Sequence, residues 1–234
     1  RNIDDRGGHG SGKAGRTMIE VTKERLRQLP KAELHVHLDG SVRPETMIEL
    51  ARAYGKTLPE WEPEALRDYM HVKDARDLVD YLARFDITLS VMQTAEALER
   101  IAYELVEDLA GENVRYVEVR YSPVLNTCEG LSPEEAVEAP LRGLFRAEKD
   151  FGVRTGLIIC GLRHLSPETS LMLAELAVAY RDRGVVAFDL AGAENGNPPK
   201  AHQAAFDLAA NHNLPITIHA GEAYGAPSIH QAIH

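Results

Sequence analysis

Leu34-His35-Val36-His37-Leu38-Asp39-Gly40 is an apolar run that ends in two histidines, a carboxylate and a glycine. On a strand, residues i and i+2 face the same side, so the His35 and His37 imidazoles can share one metal ion. The spacing alone is weak, because 10 histidines in 234 residues give about 0.4 such pairs by chance. Position strengthens it. The pair closes an apolar strand, and in α/β barrels the working residues sit at the carboxyl ends of strands. The bland alternative is a pair of satisfied core or turn histidines.

Ile218-His219-Ala220-Gly221-Glu222 repeats the design near the other end of the chain. His219 also ends an apolar strand and also runs into a glycine. Three histidines form a common core of a catalytic zinc site that leaves room for water. Glu222 follows three residues later, where a carboxylate can reach a substrate while the histidine holds the metal. Its plain alternative is an acid at a helix N-terminus, favoured by the macrodipole.

Five strands are expected: Ala32 to Leu38, Val114 to Tyr121, Val153 to Cys160, Gly184 to Leu190 and Leu214 to His219. They are short and mostly β-branched, as strands buried on both faces should be. Glu118 and Arg120 share one face of the second and read as a buried ion pair. Helical patterns lie between the strands: Pro44 to Tyr54, Asp74 to Phe85, Ala95 to Ala110, starts at Ser132-Pro133 and Ser166-Pro167, Pro198 to Asn211, and a last one from Ala226. Strand and helix in alternation argue for a parallel sheet with right-handed crossovers. The long gap between the first two strands is a helical insertion.

The chain is 44% hydrophobic and 26% charged, which suits one large domain or most of one. Residues 1–17, rich in Gly, Arg and Asp, read as a disordered leader or a remnant of cloning, with His9 a solvated tail residue. Residues 18–234 form the folded part. Cys128 and Cys160 lack a Cys-x-x-Cys spacing and read as reduced thiols of a cytoplasmic protein. No apolar run is long enough to span a bilayer. A formal net charge of -10 disfavours nucleic acid as a partner and suits a small neutral substrate.

The chain resembles the adenosine deaminase family of metal-dependent hydrolases from about Leu29 onward. The resemblance rests on KAELHVHLDG (31–40), RYVEVRYSP (115–123), DLAGAE (189–194) and HAGE (219–222), four motifs in the family's order. It implies a (β/α)8 TIM-type barrel, of which strands one to five are legible here. It implies zinc, one ion per chain, on His35, His37 and His219, and Glu222 as the acid that protonates the purine ring. It implies a substrate-binding set of His37, Asp39 at the ribose end, and Gly192, whose backbone N–H meets the purine. Asp39 could otherwise be a turn or cap residue, and Gly192 a strand-to-loop turn needing positive φ. The activity implied is hydrolytic deamination of adenosine and 2′-deoxyadenosine, with release of ammonia, by a zinc-activated water.

The family also carries a further metal-ligand aspartate, an adjacent purine-binding aspartate and a water-polarising histidine, and no residue after Glu222 matches them. His230 and His234, four apart on the last helix, read as surface residues. The expectation is therefore an incomplete barrel whose 234 residues alone are inactive. Two alternatives stand beside it: a related deaminase of adenine or a modified adenosine, and an inactive zinc- or purine-binding fragment. A phosphorylated substrate is disfavoured because no basic cluster flanks the motifs. The cytidine-deaminase type of zinc site is set aside for want of its Pro-Cys-x-x-Cys.

Overall fold

The computed structural model describes residues 20–73 and 75–234. The leader expected over 1–17, with His9, lies outside the described residues. A short helix α1 (Lys23–Gln28) leads into β1 (Lys31–His37). Five helices then intervene, α2 (Pro44–Tyr54), α3 (Pro63–Met70), α4 (Leu78–Leu82), α5 (Phe85–Ser90) and α6 (Ala95–Gly111), before β2 (Val114–Tyr121). This is the expected helical insertion. Beyond it come α7 (Pro133–Phe151), β3 (Arg154–Leu162), α8 (Pro167–Ala179), β4 (Val185–Ala191), α9 (Gln203–Asn211) and α10 (Ala226–Ile233).

Local chemistry sets these boundaries. Proline opens α2, α3, α7 and α8, where its missing N–H costs nothing. Ser132 and Glu135 form a reciprocal capping box at α7, with bonds of 3.1 and 2.9 Å. Gly55 and Gly152 end α2 and α7 in the left-handed conformation. The single helix expected from Asp74 to Phe85 is instead split between α4 and α5. Asp77 caps α4 by accepting the Asp80 N–H at 2.8 Å, so that helix starts only at Leu78. The short helices α1 and α3 were not expected.

The four strands pair in parallel in the order β1-β2-β3-β4, so their carboxyl ends share one rim. The fifth expected strand, Leu214 to His219, is corrected: it meets β4 through one isolated bridge, Phe188 to Ile216. Backbone bonds from Phe188 N to Pro215 O, Thr217 N to Phe188 O and His219 N to Leu190 O still hold it beside β4. Pro215 has no N–H to give, which weakens the ladder. The expected Glu118–Arg120 pair is also corrected. Glu118 accepts the Tyr116 hydroxyl at 2.7 Å, and Arg120 turns to Asp189 instead.

The core lies between the sheet and its helices, with Val117, Val119, Leu157, Ile159, Val185 and Phe188 at or near zero exposure. Helix α7 carries Pro140 in its interior. A proline there cannot donate to the carbonyl four residues back. The buried Tyr121 hydroxyl of β2 donates to that carbonyl, Ala136 O, at 2.6 Å. Tyr121→Phe is therefore expected to lower stability by about 1–3 kcal/mol, the cost of stranding a buried acceptor. Urea unfolding measures it, and a change below about 0.5 kcal/mol would refute the pairing. Among the described residues, no helix is long and apolar enough to cross a membrane. Cys128 is exposed, Cys160 is buried, and both are free thiols.

Candidate metal centre

β1 reaches the rim with a defect that shapes the site. Glu33 pairs with Val117 and Val36 with Val119, so β1 spends one more residue than β2 over that span. Such a bulge shifts the alternation of the strand and re-aims its side chains. Exposure passes from the even positions Ala32 and Leu34 to His35. The bulge is anchored at two points. Arg120 donates to Leu34 O at 2.8 Å, and His35 N–H donates to the Glu33 carboxylate at 3.0 Å.

His219 arrives from the segment beside β4, its N–H bonded to Leu190 O. The three Nε2 atoms then converge. His35 to His37 is 3.3 Å, His37 to His219 is 3.1 Å, and His219 to His35 is 3.0 Å. Nitrogens held about 2.0–2.1 Å from one tetrahedral zinc are about 3.3 Å apart. The triangle therefore fits a shared divalent ion. Three neutral imidazoles cannot satisfy one another in this geometry, since converging lone pairs repel. A cation among them removes that conflict.

Asp189 sets up this convergence from behind. Its Oδ2 lies 2.9 Å from His219 Nδ1, without the linear approach of an ideal hydrogen bond. A carboxylate there favours the proton on Nδ1 and leaves Nε2 free to ligate. The same carboxylate receives Arg120 at 3.2 Å, Thr217 at 2.8 Å and the Cys160 thiol at 3.3 Å. Arg120 and Asp189 are 3% and 0% exposed in their side chains, so this is a fully buried ion pair.

The charges are tuned accordingly. Burial, then the neighbouring imidazoles, pushes His37 down to about 4, and burial with the Arg120 charge lowers His35. Both are therefore neutral near pH 7, as metal binding requires. Burial opposes charge on His219 too, but Asp189 outweighs it and the pKa is raised. Burial works against an ionised Asp189, yet the contacts from His219, Arg120 and Thr217 hold it well below the usual carboxylate range.

The other expected site residues fall around this centre. Asp39 is 8% exposed, lies 3.9 Å from His37 Nδ1 through its Oδ1, and lines a cavity of about 210 Å³ with Met47, Phe85 and Thr88. That Oδ1 has no hydrogen-bond partner, and burial pushes the group up to about 6. Gly192 follows β4 with φ +92°, and a Cβ there would stand 2.7 Å from His164 Nδ1. Only glycine fits. Glu222 is exposed in the turn after His219.

Sequence reasoning gave no role to Asp189, Glu194 or Arg163, and paired Arg120 with Glu118 instead of Asp189. Asp189 and Glu194 bound one of the quoted motifs, and acids flanking an apolar strand end were the available signal. The Glu194 carboxylate is held down to about 2: burial opposes this, and Ser228 with the backbone N–H groups of 221, 223 and 224 outweighs it. A depressed acid stabilises the fold above its unfolded pKa and loses that contribution as pH falls through the folded value. The protection of the Gly221, Ala223 and Tyr224 amides, measured against their intrinsic exchange at each pH, is therefore expected to hold down to about pH 4.5 and to fall toward pH 2. Protection that is flat over that window would contradict it.

Imidazoles gathered at the carboxyl rim of a parallel α/β sheet are the layout of a metal-dependent hydrolase. The sequence profile of the adenosine deaminase family matches residues 30–234, and the chain belongs to that family. An adenosine deaminase of Mycobacterium avium (strain 104) is 46% identical over 217 residues, covering 90% of this chain and 59% of that protein. The chain thus spans about three fifths of the mycobacterial relatives it matches. Among solved structures, an adenine deaminase from Arthrobacter aurescens has TM-score 0.77 at 31% identity over 86% of this chain and 61% of that one. An amidohydrolase from Burkholderia ambifaria with bound Zn has TM-score 0.75 at 28% identity over 88% and 57%. Arabidopsis ADAL, solved with GMP and with IMP, gives 0.75 and 0.74 at 32% and 33% identity, each over 88% of this chain and 62% of that one.

Proposed function

We propose that the whole protein is a zinc-dependent adenosine deaminase, acting on adenosine and 2′-deoxyadenosine, and that these four strands and the fifth segment are part of a (β/α)8 barrel. The convergence of three Nε2 atoms within 3.3 Å of one another carries this reading. His35, His37 and His219 would hold the ion. Zinc in such a site lowers the pKa of its bound water to about 7 and so supplies a nucleophile near neutral pH.

The chain's own groups do the rest. Glu222, three residues after His219, would take a proton from the attacking water and pass it to ring N1, which makes C6 electrophilic. The Gly192 N–H meets the purine in a place where a side chain would collide with His164. The unpartnered Asp39 Oδ1, 8% of that residue being exposed, would take a ribose hydroxyl that arrives as a donor, with His37 Nδ1 3.9 Å away as the neighbouring substrate contact. The partner is thus a small purine nucleoside.

β1 and the fifth segment each present an exposed apolar residue, Leu34 and Ile216. Residues 1–234 alone are accordingly expected to bind one zinc and to turn over adenosine far more slowly than the whole protein. Ultraviolet absorbance with adenosine, 2′-deoxyadenosine, adenine and a 5′-monophosphate tests the substrate, and zinc titration tests the ion. Preference for adenine or for the monophosphate would overturn the nucleoside reading. The second reading, an adenine or modified-adenosine deaminase, is favoured by the adenine deaminase among the structural neighbours.

A further inference from the structure

The turn from His219 to Gly225 joins the metal-bearing segment to α10, and two buried side chains grip its backbone. Arg163 donates from Nη2 to His219 O and from Nη1 to Asn197 O at 3.4 Å. Glu194 accepts the Gly221 N–H at 2.6 Å on one oxygen, and the N–H groups of Ala223 and Tyr224, the latter at 2.8 Å, on the other. Arg163 and Glu194 are 3% and 4% exposed and stand 4.0 Å apart. Gly221 completes the fit at φ +88°, where a Cβ would lie 2.7 Å from Ile229 Cδ1.

Burying a carboxylate is costly unless it is well bonded. Water could have satisfied these exposed-turn amides at no such cost. The arrangement is selective as well. The amides on both sides of Glu222 are held, and its own side chain remains exposed.

We propose that Glu194, braced by Arg163, is a positioning residue that fixes the backbone on both sides of Glu222, so that a solvent-facing acid has a defined place beside the metal. The role assigned to Glu222 rests on the function proposed above. The grip itself does not.

Two measurements separate them. In zinc-loaded residues 1–234, Glu194→Gln replaces one acceptor oxygen with an NH2 that faces donors. Hydrogen exchange at Gly221, Ala223 and Tyr224 should speed up at least tenfold. Protection in β3 and β4 and zinc stoichiometry should hold, while the unfolding midpoint falls because a buried, well-bonded carboxylate is lost. Arg163→Lys, which reaches only one of its two carbonyls, should give a smaller change at the same amides. Unchanged exchange, or an equal loss of protection in β3 and β4, would overturn the proposal.

In the whole protein, Glu194→Gln should lower kcat more than tenfold with KM altered less than threefold. Loosened amides with unchanged kcat would also overturn it. A wild-type protein without activity on adenosine would sink the proposed function, and the exchange measurement would still decide the grip.

Discussion

Asp189→Asn is expected to weaken zinc binding about 10- to 100-fold, the usual cost of losing an acidic partner behind a ligating histidine. The carboxylate lies 2.9 Å from His219 Nδ1 and is the group that favours the correct tautomer. An amide can present its NH2 there and leave the proton on the wrong nitrogen. The substitution also leaves Arg120, 3% exposed, as a buried charge without its counter-ion. Removing one member of such a pair costs about 3–5 kcal/mol. Competitive zinc titration and urea unfolding of the zinc-free protein read the two effects separately. Zinc affinity within threefold of wild type would remove Asp189 from the account of the metal centre.

Glu222→Gln in the whole protein is expected to lower kcat about 10²- to 10⁴-fold, the range for losing a general acid. Glutamine keeps the length and most of the polarity of the side chain but has no proton to transfer at neutral pH. The side chain is exposed in a turn and is not a member of the histidine cluster, so zinc should still bind once per chain. Absorbance kinetics with metal analysis on the same sample checks both halves. Retained turnover would move the acid elsewhere. Retained zinc in a protein that never turned over would favour a purine- or metal-binding role.

How much of this was legible in the sequence depends on whether the information is local. β2 has the expected bounds, and so does α2 with its opening proline. His-x-His on a strand predicted a shared face, and Nε2 atoms 3.3 Å apart agree with it. What stayed hidden depends on neighbours far apart in the chain. Arg120 looked like the partner of Glu118 two residues away, whereas its carboxylate is 69 residues on. The bulge before His35 is a matter of register with β2, and no residue of β1 announces it. Nothing within β2 marks Tyr121 as the donor to the carbonyl that Pro140, in another element, leaves unpaired. The fifth strand had the right composition, but Pro215 and a single neighbour among the described residues leave it one bridge.

The histidine cluster joins His37 to His219 across 182 residues of sequence. A cation caught by both would act as a cross-link, tying the first strand to a segment that three backbone bonds hold beside β4 among the described residues. Metal capture by these three histidines would then follow the docking of that segment, since nothing can be captured until residue 219 has been synthesised and docked. Chelation should reverse that order: the segment from 214 to 219 is released first, while the four-stranded sheet behind it stays folded.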